Sequence, residues 1–111
     1  MSYCPDRGDI VYVDFQPQAG REQSKRRPGL VLTDASYNLK SSLFVICPVT
    51  SARKGYPFEV PLPDSLSVSG VVLADHVKSL DWRARRAEHV CVIPDEVVDA
   101  VLDRIADLLR M

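Results

Sequence analysis

Two segments of the sequence contain side chains of the types needed to bind and activate a phosphate group. Glu22, Arg26 and Arg27 belong to a polar segment, residues 16–28, that is too long for a tight hairpin turn. Thr50 follows a continuous apolar run, so its hydroxyl stands where a buried strand is predicted to end. Taken singly, Arg27 is typical of a solvated residue and Thr50 of a turn residue. Together they indicate a phosphate site, because a planar guanidinium fork and a hydroxyl are both strong donors to phosphate oxygens.

The basic residues are unevenly distributed, although the chain is nearly neutral as a whole. It has 14 Lys and Arg against 15 Asp and Glu, a net charge of −1, which excludes a histone-like binder that works through bulk positive charge. Residues 21–27 and residues 78–86 each carry +3, whereas residues 87–111 carry −4. A single cluster of this kind is typical of a solvated face. Two clusters of one sign in a near-neutral chain favour an anion site.

Other common catalytic centres match the sequence poorly. His89 and Cys91 can share one face of a strand, but no second ligand pair follows at zinc spacing, so a partly buried strand is the better interpretation. The sequence has neither a Gly-rich phosphate loop nor a Gly-x-Ser-x-Gly elbow. Cys47 lies inside an apolar run, which predicts an inert thiol. We therefore expect no metal and no cofactor.

The cysteines and the apolar runs indicate a compartment. Three cysteines cannot all pair within one chain, and a core of this size needs no disulfide. No apolar run approaches the roughly 18 residues that a membrane span requires, and the first seven residues contain no apolar signal segment. These features predict a reduced, cytoplasmic protein that does not bind membranes.

The elements that must position these side chains are mostly short strands. With 111 residues, we expect one domain, residues 1–111. Runs rich in β-branched and aromatic residues predict about six strands. Pro28, just before the second strand, suits the first residue of a strand, and Pro61 suggests a sheet edge. The predicted strands cover residues 10–15, 29–33, 43–49, 58–62, 70–74 and 89–93. Their number and spacing predict a mainly β fold, either a small barrel or a strongly bent antiparallel sheet.

The end of the chain has a different periodicity. From Pro94 onward, apolar residues recur with a period of 3.6, which predicts one amphipathic helix packed on the sheet. The apolar positions are Val97, Val98, Val101, Leu102, Ile105, Leu108 and Leu109. Four aspartates, Asp95, Asp99, Asp103 and Asp107, recur every four residues and predict an acidic, solvated stripe that a nucleic acid would avoid.

Several segments, in order, resemble the MazF/PemK (Kid) family of toxins from bacterial type II toxin–antitoxin systems. The resemblance extends from about residue 8 into the final helix. The segments are GDIVYVDF at residues 8–15, GREQ at 20–23, RP at 27–28, VL at 31–32, PVT at 48–50, KGYPFEV at 54–60 and LADHVKSLDWRAR at 73–85.

The resemblance implies a fold, an activity and a set of site residues. The fold is a small SH3-like barrel with helices, of the CcdB/PemK type, in a two-fold homodimer. The activity is sequence-specific cleavage of single-stranded RNA without a metal. Arg27 and Thr50 correspond to the catalytic pair, and Glu22 to an acidic residue implicated in some relatives. Many relatives have Gln in place of His76; the histidine is either a neutral replacement, which we favour, or an added titratable donor near the groove.

A mechanism follows for such an enzyme. The 2′-hydroxyl of the RNA is the nucleophile, so the enzyme must remove its proton, stabilise the charge on the phosphorane and protonate the leaving 5′-oxygen. Arg27 is expected to hold the phosphate and Thr50 to hydrogen-bond one of its oxygens. Glu22 is the candidate base, with His76 second. The expected products are a 2′,3′-cyclic phosphate and a 5′-hydroxyl.

Other side chains are candidates for contacts with RNA. Lys25, Arg26, Lys54, Lys78, Arg83 and Arg85 are candidates for contacts with the phosphates. Three aromatic residues in predicted turns, Tyr37, Tyr56 and Trp82, either stack on bases or fill small satellite cores.

The resemblance also implies a protein partner, a MazE-like antitoxin whose acidic, initially disordered tail crosses the RNA groove. Two alternatives stay open at the level of sequence. One is a gyrase poison on the same fold, like CcdB, which acts through a Trp-bearing C-terminal tip; the only tryptophan here is Trp82. The other is a non-catalytic SH3-like binding module, which does not explain why Arg27 and Thr50 occur together.

Overall fold

The computed structural model of the chain describes residues 3–15 and 26–111. Within these ranges the order of elements is β1 (Asp9–Asp14), β2 (Arg26–Val31), α1 (Ala35–Ser41), β3 (Leu43–Thr50), β4 (Glu59–Pro61), β5 (Val71–Leu73), β6 (Lys78–Asp81), β7 (Glu88–Val92) and α2 (Asp95–Leu109). A 3₁₀ turn, Ala74–His76, joins β5 to β6. Neither helix in this part of the chain has the length and apolar character needed to cross a bilayer.

The described strands form one antiparallel sheet with β3 at its centre. The order is β4-β5-β3-β2-β1-β7, and β6 pairs with β3 beside this path. Along one edge of β3, Gly29 of β2 faces Pro48. Along the other edge, β6 pairs with residues 43–46 and β5 with residues 49–50. Because two strands diverge from one edge of β3, the predicted bent antiparallel sheet is confirmed.

Side chains of successive strand residues point to opposite faces of the sheet, and buried side chains occur on both faces. One core lies under α2 and the other under β6 and its following turn. The first includes Ile10, Leu30, Leu32, Cys47, Val49, Val72, Ile93, Val98 and Val101. The second comprises Val11, Val13, Phe15, Val31, Phe44, Ile46, Leu80 and Trp82. Burial raises the pKa of the Cys47 thiol to about 12, which agrees with the inert cysteine expected from the sequence.

The C-terminal helix confirms the sequence prediction, with a narrower apolar contact. Pro94 precedes its first turn, which carries Asp95. Val98 and Val101 are buried, but Leu102 is 37% exposed and Leu109 is 75% exposed. The predicted amphipathic helix is therefore present, and its buried contact covers a narrower stripe than the seven apolar positions. The four aspartates of the acidic stripe are all exposed, as predicted.

Two elements were not predicted from the sequence. Helix α1 is a short helix capped by Asp34, whose side chain accepts a hydrogen bond from the Tyr37 N–H. Tyr37 therefore lies on a helix and not in a turn. Asn38 of the same helix is buried. Its side-chain amide Nδ2 donates to the Pro5 and Thr33 backbone carbonyls, and its backbone carbonyl accepts from the Trp82 indole N–H at 2.8 Å. The other element is β6, which has only four residues.

Strand β2 begins earlier than predicted. It starts at Arg26, so Pro28 lies inside the strand, opposite Tyr12, and not at its first residue. The proline is tolerated there because the pairing of β2 with β3 starts only at Gly29. A Cβ on Gly29 would lie 2.7 Å from Ile46 Cδ1 and 2.8 Å from Phe15 Cζ, so only glycine lets the strands pack this closely.

A group of charges joins the ends of β1 and β2 to the turn before β7. The buried Asp14 carboxylate accepts from Arg86 Nε at 3.0 Å and from Arg26 Nη1 at 3.1 Å. Arg26 also bonds Glu88 at 2.6 Å. Hydrogen bonds from Arg86, and then from Arg26, hold the pKa of Asp14 below its ordinary value of 3.8.

Replacing Asp14 tests this group. We expect Asp14→Asn to lower the free energy of unfolding at pH 7 by about 1.5–3 kcal/mol, the range for hydrogen bonds to charged groups. Because the folded-state pKa of Asp14 is depressed, its contribution is present above its ordinary pKa and is lost as the pH falls through the folded value. The difference from wild type in urea unfolding should therefore shrink as the solution is acidified. Asp103→Asn, on the exposed helix face, is the control; a constant Asp14→Asn deficit at all pH values would contradict the assignment.

Candidate active site

The two side chains predicted to bind phosphate lie on neighbouring strands. Arg27 is the second residue of β2, and Thr50 is the last residue of β3. The pairing of β2 with β3 extends to Gly29 and Pro48, which lie two residues from Arg27 and Thr50 along their strands. Both residues line the same two cavities. The structure thus brings together the pair that the sequence places 23 positions apart.

Three contacts fix Thr50. Its backbone pairs with Val71 of β5, and its hydroxyl oxygen accepts a hydrogen bond from the Ala52 N–H at 3.1 Å. Gly70 lies against the Thr50 carbonyl, where a Cβ would be 2.2 Å from the oxygen. Since the Ala52 contact uses the hydroxyl as an acceptor, the hydroxyl proton can be donated to a bound anion.

The first cavity, of about 460 Å³, is lined largely by hydroxyl-bearing side chains. Besides Arg27 and Thr50, its walls are Tyr12, Pro28, Val49, Ser51, Ser67, Val68 and Ser69. The sequence did not indicate Tyr12, Ser67 or Ser69, because isolated serines in a loop have no recognisable spacing. Their position depends on the path of the β4–β5 connection.

The second cavity, of about 350 Å³, carries charged and aromatic groups. Its walls are Arg27, Thr50, Ala52, Lys54, Tyr56, Glu59, Leu73, Asp75 and His76. The predicted RNA contacts Lys54, Tyr56 and His76 thus share a cavity with the predicted catalytic pair. Asp75 and Glu59 were missed as candidates, although an acid followed directly by a histidine is a signal that could have directed attention to Asp75. Asp75 Oδ1 lies 3.9 Å from His76 Nε2.

The remaining predicted contacts fall into two groups. Lys78 and Arg83 are exposed; Lys78 Nζ stands 6.0 Å from the centre of the Phe15 ring, and the Arg83 guanidinium lies 4.6 Å from the centre of the Trp82 ring. Arg85 instead donates to the Asp14 and Phe15 carbonyls. Arg26 is occupied by Asp14 and Glu88, as described above.

Trp82 does not have the environment predicted for a base-stacking residue. Its side chain belongs to the second core and is only 5% exposed, and its N–H is bonded to the Asn38 carbonyl. Burial of the ring explains the correction, and it favours the core-filling alternative for this residue. Tyr56, in contrast, is 61% exposed. Glu22 and Lys25 lie outside the described residues.

Comparison with known proteins decides the family. Residues 6–109 match the family model described as PemK-like, MazF-like toxin of type II toxin–antitoxin system. The chain is 42% identical over 107 residues to the endoribonuclease toxin MazF of Escherichia coli (strain K12), covering 96% of each protein.

This chain belongs to the MazF/PemK toxin family. Among solved structures of that family, it is similar to MazF (Form-I) from Deinococcus radiodurans, with a TM-score of 0.91, 55% identity and coverage of 99% of this chain and 100% of the other. It is also similar to a chain of the MazE–MazF complex (Form-II) from the same organism, with a TM-score of 0.93, 55% identity and 99% coverage of each chain. The predicted family and its mainly antiparallel β fold with a C-terminal helix are therefore confirmed.

The position of Thr50 in this MazF/PemK-family site depends on the glycine beside it. Gly70 has φ +121° and no room for a Cβ, whereas Gly55 has φ +79° and no other atom within 4 Å of an added Cβ. We expect Gly70→Ala to lower the free energy of unfolding by about 1–3 kcal/mol more than Gly55→Ala, because overpacking adds to the backbone strain. Urea unfolding of both variants checks this, and equal losses would show that the Thr50 carbonyl is not crowded.

Proposed function

We propose that residues 1–111 form the toxin of a type II toxin–antitoxin pair, a cytoplasmic MazF-like endoribonuclease that inhibits translation and growth. It cleaves single-stranded RNA, mRNA above all, at a short sequence without a metal, leaving a 2′,3′-cyclic phosphate and a 5′-hydroxyl. The observation that carries the proposal is the position of Arg27 and Thr50 on the shared wall of two cavities. Family membership and the endoribonuclease relatives support the same activity.

In this proposal the scissile phosphate binds between Arg27 and Thr50. The Arg27 guanidinium donates to the phosphate oxygens and stabilises the additional negative charge of the phosphorane. The Thr50 hydroxyl, already oriented by the Ala52 N–H, donates to another phosphate oxygen. Both groups belong to paired strands, so little reorganisation is needed when charge develops.

Proton transfer needs two further groups. Glu22 is the proposed base for the 2′-hydroxyl, and the His76 imidazole in the second cavity is the other candidate. Arg27 is the proposed donor to the leaving 5′-oxygen. The nucleophile and the leaving group both belong to the RNA, so the chain supplies charge, orientation and proton transfer.

The nucleotides on either side of the scissile phosphate are proposed to occupy the two cavities. Their linings differ: one presents hydroxyls, the other presents Lys54, Tyr56 and His76. The exposed Tyr56 ring can stack on a base. Lys54, Lys78 and Arg83 are exposed and supply the cationic path for the RNA backbone, with Lys25 as a further proposed contact.

The proposed partners are a second copy of the chain, in a homodimer, and a MazE-like antitoxin. The Deinococcus radiodurans relative has been crystallised as a MazE–MazF complex, which supports an antitoxin partner for this chain. An acidic antitoxin segment is complementary to the exposed basic groups of the chain, among them Arg27 and Lys54 at the site. The gyrase-poison alternative is not favoured, because the only tryptophan of the chain is buried in the second core and does not form a C-terminal tip.

The guanidinium of Arg27 is the first test of the activity. Wild-type protein should cut a long single-stranded RNA in EDTA at one short sequence, and end mapping should show cyclic phosphates. We expect Arg27→Ala to lower the rate about 10²–10³-fold, the effect of removing one preorganised donor. Arg27→Lys should not restore it, because an ammonium lacks the planar fork. An Arg27→Ala rate above a tenth of wild type would overturn the assignment.

The hydroxyl of Thr50 can be tested by a pair of near-isosteric changes. Thr50→Ser keeps the donor and should retain cleavage within about threefold, whereas Thr50→Val keeps the shape and should lose about 10²-fold or more. Single-turnover rates on the mapped RNA distinguish the two. If the valine variant cuts as fast as the serine variant, Thr50 has only a structural role in β3.

A further inference from the structure

We propose that Glu59 is the positioning residue that sets nucleotide selectivity in the second cavity. It does so by holding the segment 51–58, which carries Lys54 and Tyr56 and is exposed through residue 57, in one conformation beside Arg27 and Thr50. The inference rests on the proposed endoribonuclease function and assigns a role to a residue that has none in the mechanism above.

The segment needs an internal restraint because its own side chains are solvated. Residues 51–57 are seven consecutive exposed positions without a strand or helix. Ordering such a stretch loses backbone entropy at every residue. Yet Lys54 and Tyr56 both contribute to the wall of the second cavity.

The Glu59 carboxylate supplies that restraint through backbone contacts. Its oxygens Oε1 and Oε2 lie 3.2 Å and 3.1 Å from the backbone nitrogen of Lys54, whose N–H donates to them. Oε1 also accepts from the Gly55 backbone N–H at 3.0 Å. Convergence of two successive N–H groups on one carboxylate is the arrangement of a backbone nest. Gly55 has a positive φ of +79° in this turn, whereas the space around it is open. The backbone conformation of the turn, and not crowding, therefore favours glycine at this position. The Glu59 N–H also donates to the Tyr56 carbonyl at 3.1 Å, which closes the turn.

The other side of the segment is attached to the rigid part of the fold. Arg104 of α2 donates to the Pro57 carbonyl at 2.7 Å, and the Phe58 carbonyl accepts from the Ala74 N–H at 3.0 Å. Glu59 itself pairs with Leu73 in the β4–β5 ladder. The segment is therefore registered against the strand and turn that carry Asp75 and His76, the opposite wall of the cavity.

The position of Glu59 explains why this restraint acts on selectivity. Tyr56 and Glu59 line both the second cavity and a neighbouring one of about 340 Å³ that also contains Arg53. The held turn is thus part of the walls of both cavities, of which the second also contains Arg27 and Thr50. We expect loss of the Glu59 contacts to move Lys54 and Tyr56 and so to change the shape of both cavities. Arg27 and Thr50 keep their positions because they belong to strands.

Two other roles for this carboxylate make different predictions. A general base would need the negative charge for the chemical step, and a simple electrostatic role would repel RNA through that charge. Glu59→Gln removes the charge in both cases but retains an oxygen that accepts from the backbone N–H groups. Glu59→Ala removes charge and acceptor together. The two variants therefore separate the positional role from the charged ones.

The test compares Glu59→Ala, Glu59→Gln and the matched controls Glu96→Ala and Glu96→Gln, in a carboxylate exposed on α2. Single-turnover cleavage of a preferred RNA and sequencing of cuts in a long single-stranded RNA are measured in EDTA. We expect Glu59→Ala to lose about 10–100-fold in kcat/KM and to cut at additional sequences, because small misplacements of positioning groups have effects of this size. Glu59→Gln should stay within about threefold of wild type and keep the wild-type sites.

Hydrogen exchange provides a readout that does not depend on activity. The Lys54 and Gly55 amides should exchange faster in Glu59→Ala, with β3 amides unchanged and the Glu96 variants like wild type. Equal loss of kcat in both Glu59 variants with unchanged cut sites would make Glu59 a base and overturn the proposal. A kcat/KM of Glu59→Ala equal to or above that of wild type, with cuts at the same sites, would also overturn the proposal. If wild type cuts no RNA, the proposed function itself fails, an outcome distinct from both.

Discussion

The register between β2 and β3 is the constraint on which the candidate site depends. Gly29 faces Pro48, and Arg27 and Thr50 lie two residues beyond this pair on their strands, where both line the same cavities. A slip of one residue would send one of these side chains to the other face of the sheet. Close packing of Ile46 and Phe15 over Gly29 opposes such a slip, because any side chain at that position would meet both. The core and the candidate phosphate site therefore depend on the same few backbone pairs.

Two neighbouring arginines on β2 have different surroundings because strand side chains alternate between the two faces of the sheet. Arg26 and Arg27 point to opposite faces of the strand. Arg26 is matched by Asp14 and Glu88 and joins β1, β2 and the turn before β7. Arg27 is exposed and lines both cavities. Of the charge counted in the first basic cluster, part therefore stabilises the fold and part is available to an anion.

Much of this arrangement could be predicted from the sequence, and the failures have physical causes. A continuous apolar run predicted the central strand, a period of 3.6 predicted α2, and ordered motifs identified the family. Helix α1 was missed because its seven residues depend on the Asp34 cap and on buried Asn38 more than on any periodicity. The sequence alone leaves base stacking and core filling both open for Trp82, because only the tertiary structure shows that its ring fills the second core. The serines of the first cavity and Glu59 acquire their positions only from tertiary pairing.

The shared wall between the two cavities has a consequence for how such a protein can diverge. The proposed reacting pair is built from strand residues, whereas much of the cavity linings comes from the connections after β3, β4 and β5. Substitutions in these connections alter the surroundings of a bound strand on one side or the other and leave the register of β2 and β3 intact. If the proposed site cleaves RNA, duplicated copies of the gene would acquire new target sequences by changes in these connections alone, while the proposed chemistry is inherited unchanged.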